Sequence, residues 1–301
     1  MPGLQTFTSI FMNRNYKAVN WCIFILLCII WGSSFILMKW SREGLSAAQI
    51  ASVRIFSAAI VLLPFGIFHI AKIPGKKILL VILSALLGNL IPAYIFASAI
   101  ANNIDSSLAG ILNSLTPICV VIVGIIFFKA KIRFSKIAGV LIGFSGLCLL
   151  TLSKTGISFE NLGNALWIVL ATVLYGFNVN IVTHYLKEVK PFHLTSVSLS
   201  FMSIPTAFVL WQQDFLNLAF DESIVRWSVI ISVFLGIAGT AIATALFYLL
   251  VKRAGGLFAS LVTYGIPFVA IGWGFFYGEN ITVIQVACLG IILSGVWLAN
   301  K

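Results

Sequence analysis

Arg54 places a guanidinium inside an apolar stretch that runs from Ala47 to His69. A charge near the bilayer centre costs about 2.5 kcal/mol or more, so this side chain must face protein or water, or snorkel to an interface. It can pair with an acidic group or with an anionic part of a solute. It can equally fix helix packing through backbone carbonyls, and it is read here as a structural or gating position. Other polar and aromatic groups lie equally deep in apolar runs: Trp31 and Ser34, Asn89 and Tyr94, Asn113, Tyr175 and Asn178, Thr244 and Tyr248, and Tyr264. Thr244 and Tyr248 are four residues apart and share one helical face. Amides, hydroxyls and aromatic faces together suit an amphipathic organic solute better than a bare ion, so these ten are the candidate substrate-binding residues. Pro117 and Pro267 join Arg54 as structural or gating candidates. A proline frees a carbonyl one turn earlier, and membranes tolerate that where the carbonyl lines a cavity or meets a neighbour.

The same residues argue against catalysis. No His-Glu-x-x-His, Gly-x-Ser-x-Gly or phosphate-binding glycine loop occurs, and no metal-spaced cluster. The five cysteines (Cys22, Cys28, Cys119, Cys148 and Cys288) all lie in apolar runs, with no Cys-x-x-Cys pair. No Asp or Glu sits mid-span, so a carboxylate proton relay is not visible. The expectation is a protein that is not an enzyme and holds no cofactor or metal.

The elements that position these groups follow from composition. Hydrophobic residues make up 60% of the 301-residue chain and charged ones 9%, against about 25% charged in an ordinary soluble protein. Such a chain cannot build a water-facing surface. Its long unbroken apolar runs select transmembrane helices over barrel strands. Ten spans are expected, at about 19–39, 47–69, 77–100, 105–128, 134–152, 162–184, 193–212, 227–250, 257–277 and 281–299. Residues 1–18 are expected to form a short tail, because the first apolar run is too long for a cleaved signal peptide.

The net charge of +11 could indicate nucleic acid, but loop position explains it better. With the N-terminus cytoplasmic, Lys39, Arg42, Lys154 and Arg226 fall outside and Arg54 falls within a span. The remaining 14 of the 19 Lys and Arg then lie on the cytoplasmic side. That bias in short loops predicts both termini inside. Glu188 is the one acidic residue expected on the basic side.

The chain also echoes itself. Ser106-Ser107-Leu108-Ala109 leads to Pro117, as Gly256-Leu257-Phe258-Ala259 leads to Pro267; Trp31-Gly32 is echoed by Tyr175-Gly176. An odd span count in each copy would turn the second upside down, a construction that secondary transporters favour. The expected division is 19–152 and 162–300, joined by the polar stretch Ser153 to Asn161.

The order of Trp31-Gly32-Ser33-Ser34-Phe35, Arg54, the run Ser107 to Pro117, Gly176, the run Leu257 to Pro267 and Tyr277-Gly278-Glu279 resembles the EamA branch of the drug/metabolite transporter superfamily. Family members often carry Gly-Glu after span four, where this chain reads Phe128-Lys129-Ala130. The resemblance implies two inverted five-helix repeats with a central cavity lined by helices one, three, four, six, eight and nine. It also implies residence in a cell membrane, by family likeness the bacterial inner membrane. The function expected is a secondary transporter that exports small metabolites, amino acids or similar amphipathic solutes, by alternating access. Alternatives are a nucleotide-sugar or phosphate-ester carrier and a non-transporting scaffold. The partners expected are a small-molecule substrate and the lipid bilayer, without nucleic acid; the coupling ion is left open.

Overall fold

A computed structural model describes residues 3–101, 112–152, 162–276 and 282–301. Every regular element among them is helical, as a chain in lipid requires when no water can satisfy its backbone. Span one is Gly3–Ser41 and span two is Ala47–His69. Span three joins Gly75–Ala85 to Ile91–Ala101 through a π-helical segment, Leu86–Leu90. Span four continues as Thr116–Phe128, span five is Phe134–Leu152 and span six Leu162–Tyr185. Span seven comprises Pro191–Ser200 and Ser203–Gln212. Span eight joins Ser223–Gly236 to Ala243–Ala254 through a second π-helical segment, Ile237–Ile242. Span nine comprises Gly256–Ser260 and Val262–Phe276, and span ten is Val283–Ala299.

Seven of these are long and apolar enough to cross a bilayer as described, and the described helices of spans four, five and ten are shorter. The chain is thus an all-helical polytopic membrane protein. The helix of span one reaches back into the stretch expected to be a tail, where no proline interrupts it. The start of span four with Ser106 to Ala109, the linker Ser153 to Asn161 and the Tyr277-Gly278-Glu279 motif lie outside the described residues.

Local chemistry sets several boundaries. Spans two and ten open with capping boxes, in which Ser46 and Gln49, and Thr282 and Gln285, satisfy each other's backbone N–H groups. Span four ends at Lys129, which adopts a left-handed conformation (φ 52°). A residue with a Cβ costs about 1–2 kcal/mol there. Lys129→Gly is therefore expected to raise stability by about 0.5–1 kcal/mol, after allowance for the freer unfolded chain. Thermal unfolding in detergent measures this, and an unchanged or lower midpoint would contradict it.

Packing partners repeat with the halves exchanged. Span one packs on spans eight and nine, and span six packs on spans three and four; spans two and seven meet each other, as do five and ten. The last pairing rests on glycine. A Cβ on Gly295 would meet the Gly139 carbonyl at 2.6 Å and Gly143 Cα at 2.6 Å, so the two backbones touch. Gly139 and Gly143 form the small-xxx-small spacing that permits such approach in lipid.

Polar contacts also join residues that the ten-span alternation puts on one side. Arg253 Nε donates to Asn20 Oδ1 (2.7 Å), tying the end of span eight to the helix of span one. Gln49 Nε2 donates to the Gln213 carbonyl (3.0 Å) across the other side. Glu188, the acidic exception, pairs with Lys77 at 2.6 Å. That hydrogen bond and charge hold its carboxyl below its ordinary pKa.

Candidate functional site

Four interruptions in the helices converge on one cavity. The π-helical segments of spans three and eight present Gly88 and Asn89, and Gly239 and Thr240, to it. A π turn shifts the hydrogen-bond ladder by one residue and leaves carbonyls underused, which is why such turns gather at functional sites. Span four is interrupted by a turn at Ser114 and Leu115, and Asn113 and Thr116 flank it on the cavity wall. Span nine is interrupted at Leu261, flanked by Ser260 and Thr263. Spans one and six run unbroken between these and contribute Trp31 and Ser34, and Tyr175 and Asn178.

The two sides mirror each other chemically. Trp31 packs against Phe247 (ring centroids 5.4 Å apart), and Tyr175 stacks on Phe96 (6.4 Å). The π carbonyl of Gly239 accepts from Trp31 Nε1 at 3.0 Å. On the opposite side, a Cβ at Gly88 would collide with the Asn178 amide, so only glycine lets that amide lie against the π segment. Thr244 Oγ1 donates to Asn89 Oδ1 at 3.1 Å. Ser84 Oγ donates to Asn178 Oδ1 at 2.6 Å and lies 3.0 Å from the Tyr248 hydroxyl. Arg54 enters from span two: its Nε donates to Thr240 Oγ1 at 2.8 Å, and Nη2 reaches the Gly239 carbonyl at 3.4 Å.

Of the sequence candidates, Trp31, Ser34, Asn89, Asn113, Tyr175, Asn178, Thr244, Tyr248 and Arg54 line this cavity. Tyr94 and Tyr264 are placed elsewhere. Tyr94 turns to span two, where its hydroxyl lies 2.6 Å from that of Ser52. Tyr264 is fully buried against span five and donates to the Val140 carbonyl at 2.8 Å; its neighbour Thr263 takes the cavity side. Pro117 lies in the first turn of the helix Thr116–Phe128, and the Asn113 carbonyl one turn back accepts from Thr116 Oγ1 at 2.6 Å. Pro267 lies within the helix of span nine; neither proline is a lining residue.

Sequence reasoning missed Phe96, Phe247, Gly239 and Thr240. One signal was available for the aromatics: Phe96 and Phe247 occupy matching positions in the two halves, and Phe247 is next to Tyr248. Among the described residues no group of three or more His, Cys, Asp or Glu could hold a metal.

The cavity measures about 150 Å3. Its wall is predominantly apolar and aromatic, with convergent amides and hydroxyls and a single guanidinium, the composition of a small-molecule binding site. A membrane-embedded helical bundle with irregular backbone gathered around such a site belongs to the class of membrane transporters. Comparison with known proteins gives the family. The EamA-like transporter family profile matches residues 20–152 and again 163–301, and the chain belongs to that family. It is 27% identical over 283 residues to an uncharacterized transporter of Archaeoglobus fulgidus, covering 94% of this chain and 99% of that one. A protein of known crystal structure shares the fold at a TM-score of 0.72 and 16% identity, covering 92% of this chain and 96% of that one.

Proposed function

We propose that this chain is a secondary carrier that exports small amphipathic metabolites, amino acids or similar solutes, by alternating access. The two halves would be inverted repeats that rock about the cavity. The observation that carries the reading is the cavity wall itself: each half supplies one ring to each of two aromatic pairs, a π-helical segment and an interrupted helix to one shared cavity. Size supports a small cargo, since a cavity of about 150 Å3 takes a benzene-sized body. A nucleotide sugar or phosphate ester would call for more room and for several basic groups; among the lining residues Arg54 is the basic one. The excess of Lys and Arg in alternate loops supports a cell-membrane protein with both termini cytoplasmic.

Two experiments test this. Purified protein reconstituted in vesicles should move one or more members of a panel of amino acids, polyamines, nucleosides and organic acids above empty-vesicle rates. Folded protein that moves none of them counts against a carrier. In cells, single cysteines at positions 131 and 252 should react with a membrane-impermeant maleimide only after the membrane is opened, and one at position 216 without opening. Labelling of 131 and 252 from opposite sides would rule out the inverted arrangement.

A further inference from the structure

We propose that the solute this cavity accepts carries one negative charge on a ring-sized apolar body, and that Arg54 is its anchor. This rests on the carrier reading and narrows it within small amphipathic solutes, away from zwitterionic amino acids and toward monoanions. A guanidinium has five N–H donors in a rigid fork. Here Nε is well bonded to Thr240 Oγ1, and Nη2 makes only a long contact with the Gly239 carbonyl. That carbonyl is better served by Trp31 Nε1 at 3.0 Å. Both donors of Nη1 and one of Nη2 are without a protein acceptor among the described residues. Among the described residues that line the cavity none is an Asp or Glu. A charge held in a mostly apolar space without a counter-charge is unfavourable, and an arriving carboxylate offsets that cost through charge-assisted, bidentate bonds.

The rest of the wall determines what the carboxylate is attached to. Trp31 and Phe247 form one aromatic face, and Phe96 and Tyr175 another. A body of about one ring fits between them at this volume. The same geometry disfavours a second charge. In a space this small, an ammonium would sit close to the guanidinium and meet no carboxylate among the lining residues, so repulsion would erode the gain from its own carboxylate. The expected order is therefore monoanion above zwitterion, zwitterion above neutral isostere, and cation last. Arg54 keeps its hold on Thr240 while it binds, because the Nε bond and the Nη1 edge are separate parts of the fork.

Calorimetric titration of the purified protein tests this with four probes of one shape: phenylacetate, its neutral isostere phenylacetamide, phenylalanine and phenethylamine. At neutral pH phenylacetate should bind at least ten-fold tighter than phenylacetamide, and phenethylamine weakest. Arg54→Gln should abolish the acid-over-amide preference, and Arg54→Lys should keep a reduced one. Should Arg54→Gln not fold, the wild-type acid and amide pair alone decides. Equal affinity for that pair, or tighter binding of phenylalanine or phenethylamine than of phenylacetate, overturns the assignment while leaving a carrier in place. Binding of none of the four also overturns it, and the vesicle panel then judges the carrier reading separately.

Discussion

Gly295→Leu will leave no monodisperse protein in detergent, whereas Gly290→Ala will purify and unfold like the wild type. Both glycines lie in span ten, so helix propensity cannot separate them. A Cβ on Gly290 meets nothing within 4 Å. A Cβ on Gly295 meets the backbone of span five at Gly139 and Gly143, and backbone cannot rotate away as a side chain can. Overpacking by one or two methylenes costs about 1–3 kcal/mol when neighbours can shift. A leucine adds more, at a contact where neither helix can yield without parting from the other. Helix association in lipid draws on close packing and not on apolar burial from water, so a parted pair has little else to hold it. Gly139→Leu should act the same way from the other side, since its Cβ would meet the Gly295 carbonyl at 2.7 Å. Size-exclusion profiles and thermal midpoints of the three variants decide the matter. A Gly295→Leu protein with a wild-type midpoint would mean that spans five and ten do not touch in this way.

The sequence made the helices and their order readable because apolar runs of membrane length have few alternatives. It made the loops readable because charge is expensive in lipid and settles at the ends. The cavity was readable where a polar residue interrupts an apolar run: Asn89, Asn113, Asn178, Thr244 and Arg54 all face it. Direction was harder to read than depth. Tyr264 and Thr263 are adjacent, and the interruption at Leu261 sets the phase of the helix that follows. That phase turns Tyr264 into span five and Thr263 toward the cavity, and no residue type announces it. The π segments were invisible for a similar reason. They are a change in backbone register at Leu86–Leu90 and Ile237–Ile242, built from residues that suit an α-helix equally well. Phe96 and Phe247 were passed over because 25 phenylalanines populate this chain, and most serve lipid or packing.

Asn178 and Asn180 give the sharpest separation between cavity and scaffold. Two residues apart on span six, they point to different neighbours. Asn178 lines the cavity beside Ser84, Tyr248 and Gly88. Asn180 is buried against span four, and its Nδ2 donates at 2.9 Å both to the Val120 carbonyl and to the Gly176 carbonyl of its own helix. Asn178→Leu keeps the branching of the side chain while adding bulk beside an open cavity, and it leaves Ser84 bonded to Tyr248, so the midpoint should fall less than in Asn180→Leu. Its cavity loses an amide at the middle of the wall, and flux of a solute carried by the wild type should fall at least ten-fold. Asn180→Leu should do the reverse. Losing two buried hydrogen bonds costs about 1–3 kcal/mol in stability, and the midpoint should drop. Flux per folded molecule should stay within about two-fold, because hydrogen bonds that only staple spans four and six contribute to folding and not to the differential binding that drives a transport cycle. Vesicle flux normalised to folded protein, read beside the thermal midpoint, separates the two. Equal loss of flux in both variants would place the two amides in one functional unit and undo the division between wall and scaffold drawn from their contacts.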